Sequence, residues 1–227
     1  MSASKAYFKA VLFDLDGTLL DTAPDFTTAT NILLAENDLP LVKEEEIKSL
    51  ISDGSAGIVC DVFNIEPSDS LFKKKRSDLL ALYSKHLTEK TLPFKGIEKL
   101  LRMLGEHNVP WGIVTNKPEF YTTAILNELE LKPNPAVVIC PDHVKRTKPD
   151  PEPILLACKI LGVKVEDTVF IGDHIRDIQA GASAGVSTIA AAYGYINKRE
   201  NTSSWQANFT AERSEDLLEL IFCQNQY

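Results

Sequence analysis

The sequence predicts an α/β protein: a parallel β-sheet covered by helices on both faces, with an all-helical segment inserted near its start. Three observations carry the prediction. Apolar runs such as "AVLF", "WGIV", "AVVIC" and "TVFIG" are continuous rather than alternating, as in strands buried on both faces. From about residue 92 onward these runs alternate with segments of helical period, as βα units require. Between about Ala23 and Thr91 only helical periodicity occurs.

The first strand covers about Phe8 to Leu15, apolar from Ala10 to Phe13 and then interrupted by Asp14 and Asp16. In the inserted segment, "PDFTTATNILLAEN" places Phe26, Ile32 and Leu33 on one side of a helix. "KEEEIKSLIS" and "AGIVCDVFN" read as short helices split by Asp53-Gly54-Ser55. A longer helix runs from about Ser70 to Thr88, with Leu71, Leu79, Leu82 and Tyr83 apolar. "GIEKLLRMLGEH" is a helix and "VPWGIVTN" a strand; "PEFYTTAILNELEL" is a helix with Pro118 near its first turn. "AVVIC" is a strand, and "DPEPILLACKILG" a helix closed by Gly162. "DTVFIGD" and "STIAAAYG" are strands around the helix "IRDIQAGASAG", and "SEDLLELIF" is a closing helix. The expected division is a core of residues 1–22 and 92–227 and a helical cap of residues 23–91. "NKRENTSSW", Asn197 to Trp205, is a polar loop.

With 44% hydrophobic and 25% charged residues the chain is in the ordinary globular range. Its net charge of −8 argues against broad nucleic-acid binding, which needs a basic footprint. The basic run Lys73 to Arg76 lies in a helical pattern and reads as a solvated face. No apolar run approaches the ~18–20 residues of a membrane helix. The start "MSASKAYFKAVLF" lacks the apolar core and cleavage site of a signal peptide, with Lys9 where that core would be. A cytoplasmic protein without nucleic-acid or membrane partners is expected. Cys60, Cys140, Cys158 and Cys223 form no CxxC and no zinc spacing with His, so buried free thiols are expected.

Polar residues gather at four strand ends. The first strand ends at Asp14-x-Asp16 and the second at Thr115-Asn116. "AVVIC" leads through a loop to Lys148-Pro149, and the fourth strand ends at Gly172-Asp173 with Asp177 four residues on. Open parallel sheets bind ligands beyond the carboxyl ends of their strands, so all four groups fall on one edge. Several carboxylates at one site repel each other unless a cation is present. Oxygen ligands suit a hard divalent ion such as Mg2+, and the lack of a His/Cys cluster argues against zinc. Lysine beside such a cluster suits a second anion such as a phosphate, with Thr115 and Asn116 as neutral donors.

"FDLDGTLLDT", "IVTNK", "KPDP" and "GDHIRD" resemble, in order and spacing, the four motifs of the haloacid dehalogenase-like (HAD) hydrolases, over essentially the whole chain. The resemblance implies a Rossmann-like HAD core and roles residue by residue. Asp14 would be the nucleophile that forms an aspartyl-phosphate, and Asp16 the general acid and then base. Thr115 and Asn116 would bind the phosphoryl group, and Lys148 would neutralise charge on it and on the nucleophile. Asp14, the backbone carbonyl of Asp16, Asp173 and Asp177 would hold Mg2+, with Gly17 and Thr18 as the turn toward the cap. Aspartate at position 16 favours a phosphatase or phosphomutase over a dehalogenase or a transport ATPase.

The substrate expected from the resemblance is a small phosphorylated metabolite, in a monomer or homodimer. "WGIVTNKP", "RTKPDP" and "YGYI" resemble the phosphoglycolate phosphatase group, while "GDHIRDI" and Trp205 are closer to phosphatases of N-acetylmuramic acid 6-phosphate. A β-phosphoglucomutase-like sugar phosphomutase and a non-catalytic phosphate-binding protein are the alternatives. The "SDGSAG" break, Ser52 to Gly57, is open between an interhelical turn and a helix start facing an anion. His174 is open between a contact with substrate or metal-bound water and packing, and Asp21 is assigned a cap-hinge contact. Tyr193 to Ile196 and Trp205 are open between site edge and surface packing. Trp111 and Tyr7 are expected in the core, and His143 in a loop.

Overall fold

The computed structural model describes residues 6–197 and 201–222; Cys223 and residues 198–200 of the polar loop lie outside the described residues. Five strands follow the expected runs: β1 (Ala10–Phe13), β4 (Trp111–Val114), β5 (Val137–Ile139), β6 (Thr168–Gly172) and β7 (Ser187–Ala191). β8 (Phe209–Ala211) completes a six-stranded sheet of order β5-β4-β1-β6-β7-β8. Every pairing in it is parallel. β8 is three residues long and carries no apolar run, so the sequence gives no sign of it.

Side chains alternate across the sheet and fill two cores. Val11, Phe13, Trp111, Ile113, Val169 and Ile171 face one cluster with α5 (Ile97–Glu106), α6 (Glu119–Leu129) and α9 (Leu217–Phe222). Leu12, Val114, Val137, Ile139 and Phe170 face the other with α7 (Glu152–Leu161) and α8 (Ile175–Ala184). Apolar residues on both faces explain the unbroken strand runs. Tyr7 departs from expectation: it precedes β1, lies 63% exposed and meets Phe8 edge-on.

The inserted segment holds α1 (Ala23–Ala35), α2 (Glu44–Ile51), α3 (Gly54–Phe63) and α4 (Phe72–Lys85), packed around a cluster of their own. Phe26, Leu33, Ile47, Ile58, Leu79 and Tyr83 are its large buried members. Leu34 is buried where Ile32 was expected, and Leu71 precedes α4 and is 51% exposed. Tyr195, which follows β7, reaches into this cluster from the sheet side. No helix among the described residues is long and apolar enough to cross a membrane.

Two short strands, β2 (Leu20–Asp21) and β3 (Leu92–Pro93), carry the chain into and out of the helical segment and pair antiparallel. The strands are too short to read from sequence. Asp25, in the first turn of α1, fastens the chain just before β3. Its buried carboxylate accepts the backbone N–H of Lys90 at 2.9 Å, and the N–H and hydroxyl of Thr91 at 3.0 and 2.6 Å. Replacing it removes the acceptor of two backbone donors. Asp25→Ala is expected to lower stability by about 2–4 kcal/mol, seen as a lower urea midpoint with unchanged slope.

Candidate active site

The site lies where the strand order reverses. β1 and β6 are neighbours, with β4 and β5 on one flank and β7 and β8 on the other. Such a switch point leaves a crevice beyond the strand ends. The ends are tied together: the N–H of Asp14 donates to Ile171 O at 2.8 Å. Asp14 and Asp173 therefore emerge side by side. Their surroundings form a cavity of about 330 Å³, closed on the other side by the helical segment.

Lys148 sits between two carboxylates, its Nζ 2.9 Å from Asp14 Oδ1 and 2.7 Å from Asp177 Oδ1. Lys148 and Asp177 are sequestered, while Asp14 keeps 15% of its side chain exposed to the cavity. Burial alone would push the lysine pKa down, but the two carboxylates outweigh it and hold the pKa up. Burial raises the Asp14 pKa to about 6, with Lys148 opposing and the Asp177 charge adding. Asp173 is held well above the usual carboxylate range, first by burial and then by Asp14 and Asp177.

Local structure fixes each group. Asp177 Oδ2 accepts the N–H of His174 at 3.1 Å, and His174 Nδ1 accepts that of Arg176 at 3.1 Å. This reciprocal cap starts α8 and leaves the other Asp177 oxygen for Lys148. Asp173 accepts the Thr18 hydroxyl at 3.1 Å and the N–H of Tyr195 at 2.8 Å. Gly17, at φ +77°, makes the turn after Asp16; a Cβ there would meet Asp173 Oδ2 at 2.0 Å. Gly194 packs as closely on the other side, where a Cβ would lie 2.3 Å from Asp173 Cβ. "YGYI" thus braces the acidic loop from behind. Trp205 is buried against Ile178 and Ala190, outside the cavity lining.

Oxygens of Asp14, Asp173 and Asp177 lie within 4.8 Å of one another. One lysine balances only one of three carboxylates. An all-oxygen set with excess negative charge fits a hard divalent cation. The Thr115 hydroxyl accepts the N–H of Lys117 at 3.1 Å, which leaves its own proton for a ligand. Asn116 lines the cavity and has a further contact. Its amide grips the Lys148 backbone, donating to the carbonyl at 3.0 Å and accepting the N–H at 3.2 Å. In this structure it is a strut for the lysine.

Asp16 lies in the cavity lining, but its carboxylate belongs to a second charge pair that the sequence reading missed. Lys117 Nζ lies 2.9 and 3.2 Å from its two oxygens, and Thr22 Oγ1 donates to it at 2.6 Å. Lys117 also donates to the Tyr83 hydroxyl at 2.9 Å and lies 4.9 Å from the ring centres of Phe26 and Tyr83. Those rings are stacked at 3.8 Å. Burial tends to lower the Lys117 pKa, but Asp16 and Tyr83 reverse the shift and raise it. The one sequence sign was its place beside Thr115-Asn116 at the strand end. Asp21 accepts the Tyr195 hydroxyl at 2.7 Å and pairs with Lys48 of α2 at 3.6 Å, a contact at the joint of the two segments. His143 lies in a 3-10 turn, 3.1 Å from Glu119.

Known proteins share this plan. The sequence profile described as haloacid dehalogenase-like hydrolase matches residues 11–191. An N-acetylmuramic acid 6-phosphate phosphatase of Pseudomonas putida is 41% identical, over 94% of this chain and 96% of its own. A phosphoglycolate phosphatase of Xanthomonas campestris pv. campestris is 36% identical, over 93% and 95%. A crystal structure of a predicted phosphoglycolate phosphatase from Haemophilus somnus 129PT superposes with TM-score 0.82 at 25% identity, over 94% of this chain and 98% of that one. With its profile match across both cores and the four strand ends, the chain belongs to the haloacid dehalogenase-like hydrolases.

Proposed function

We propose that the protein is a Mg2+-assisted phosphomonoester hydrolase that works through phosphorylated Asp14, with residues 23–91 as a cap over the site. The observation that carries the reading is the group of Asp14, Asp173 and Asp177 gathered with the buried Lys148 at the strand-order switch. Phosphatase relatives that share almost the full length support it.

Asp14 Oδ1 is taken by Lys148 and by the N–H of Leu15 at 2.7 Å. Among the described residues Oδ2 has no such partner, so it is the oxygen assigned to attack. It forms a bond to phosphorus as the ester P–O bond breaks. Asp16 gives a proton to the departing oxygen, then takes one from the water that cleaves the aspartyl-phosphate. Thr115 donates to a phosphoryl oxygen, and Lys148 offsets charge that builds on the phosphoryl group. Asp14, Asp173 and Asp177, with the backbone carbonyl of Asp16, would hold Mg2+. When bound, the ion neutralises carboxylate and phosphoryl charge that would otherwise repel. Lys117 and Thr22 keep the Asp16 carboxylate in one orientation.

The relatives described above are named for two phosphate esters of carboxylic acids, and the more identical one for N-acetylmuramic acid 6-phosphate. That ester and 2-phosphoglycolate are the first substrates to compare. A sugar phosphomutase would instead return isomerised sugar phosphate, so inorganic phosphate equal to ester consumed separates the two.

Asp14→Asn is expected to reduce phosphate release by more than about 1000-fold, since it removes the nucleophile. Activity that survives the change would reject the mechanism. Lys117→Met is expected to lower kcat by about 10–100-fold with a smaller effect on KM, because it frees a group whose proton transfer is worth ~10²–10⁴.

The pH dependence has a definite sign. Asp14 is protonated below about 6 in the folded metal-free protein, above its unfolded value. Its contribution to stability is full at low pH and lost as pH rises through 6. A divalent cation needs the ionised form. Added Mg2+ is therefore expected to raise the melting temperature clearly at pH 7.5 and little at pH 5. Equal shifts at the two pH values would contradict the assignment of Asp14 and Asp173, both raised by burial, as cation ligands.

A further inference from the structure

Four cationic side chains line the cavity: Lys117, Lys148, Arg76 and Arg176. The two lysines are buried and each is neutralised by a carboxylate. The two arginines have no carboxylate partner among the described residues. They come from different parts of the fold, Arg76 from α4 and Arg176 from α8. Both are nevertheless held against the same short stretch, which runs from the end of α2 into the first turn of α3. Arg76 Nε donates to Ser55 Oγ at 3.0 Å, and Arg176 donates through Nη2 to the Ser52 carbonyl. Arg176 Nε also donates to His174 Nδ1 at 3.1 Å.

A guanidinium has five N–H donors in a fixed plane. The bonds above use one of them on Arg76 and two on Arg176, so most donors of both remain for a ligand. Asp53 also lines this part of the cavity but pairs with neither arginine, and it offsets at most one of the two charges. The phosphoryl group must sit on Asp14, so whatever reaches the Ser52–Ser55 stretch belongs to the leaving group.

We propose that Arg76 and Arg176 form a carboxylate subsite for the leaving group. The substrate class is then a phosphate monoester of an alcohol that also carries a carboxylic acid. Planar forks match the two oxygens of a carboxylate. The proposal rests on the phosphatase reading above and narrows it. Arg176 gains a second consequence. It bonds the helical segment through Ser52 and the substrate through its free N–H groups, so the carboxylate adds to the contacts that hold the two segments together.

The test compares pairs of esters that differ in the carboxylate. N-acetylmuramic acid 6-phosphate is set against N-acetylglucosamine 6-phosphate, which lacks the lactyl acid. 2-Phosphoglycolate is set against 2-hydroxyethyl phosphate. In at least one pair the unaltered protein is expected to favour the acid by about 10–100-fold in kcat/KM, the range of charge-assisted hydrogen bonds. Arg176→Ala and Arg76→Ala are expected to shrink that preference, mainly through KM, and to cost the neutral ester much less. Arg176→Lys keeps the charge but not the fork and is expected to recover part of the preference. Thermal melting of each variant checks folding. No preference in either pair, or equal loss on both members in the arginine variants, overturns the proposal. So does a stronger preference for a small bisphosphate, which would assign the subsite to a second phosphate. 4-Nitrophenyl phosphate keeps the two readings apart. If it is hydrolysed without any acid preference, only the subsite fails; if it and every ester are inert, the phosphatase reading fails.

Discussion

Two buried carboxylates, Asp173 and Asp177, and the partly buried Asp14 converge where β1 and β6 end, and one buried lysine stands among them. Each charge has left water, which costs several kcal/mol per ion unless it is paired. Lys148 meets Asp14 and Asp177 at 2.9 and 2.7 Å, and the rest of the local structure serves that placement. Asn116 holds the lysine backbone from the end of β4. The cap of α8 orients Asp177, and two glycines leave room for Asp173. The remaining negative charge makes the cluster receptive to a cation and, through that cation and Lys148, to a phosphoryl group. Stability and proposed chemistry thus share one electrostatic constraint.

A second buried pair extends the constraint into the helical segment. Lys117 leaves the sheet edge next to Thr115, yet it ends under the stacked rings of Phe26 and Tyr83. Its other contact is Asp16. Aromatic faces and a phenol oxygen compensate the buried ammonium where water cannot. The orientation of Asp16 consequently depends on residues from both sides of the cavity. The sheet and the inserted helices are coupled by polar contacts, Lys117 to Tyr83 and Tyr195 to Asp21, and by Tyr195, Phe94 and Tyr121 packing against the helical cluster.

Much of the architecture is legible in the sequence because it follows from local pattern. Continuous apolar runs announced the long strands, and the fourfold return of polar residues after them announced an edge. Elements without a pattern were silent. β8 is three residues of mixed character, and β2 and β3 are two residues each, formed only because the two connections meet. Tyr7 is aromatic like core residues but stands before the sheet begins. The site shows the same division. Asp14, Lys148, Asp173 and Asp177 were expected together and are together. Asn116 was expected at the site and lines the cavity, but its grip on the Lys148 backbone was not legible, since the approach of two loops is invisible in either one alone.

The sequence by itself determined which strands end in carboxylates and that those ends lie on one edge, because strand direction and side-chain period are local properties. It also determined the family, through four ordered motifs. Tertiary structure decided who pairs with whom. The choice of Lys117 as partner to Asp16, the bond from Thr18 to Asp173 and the reach of Arg176 to Ser52 join residues 101, 155 and 124 positions apart. Such contacts follow from how the inserted helices settle on the sheet, and no local spacing encodes that.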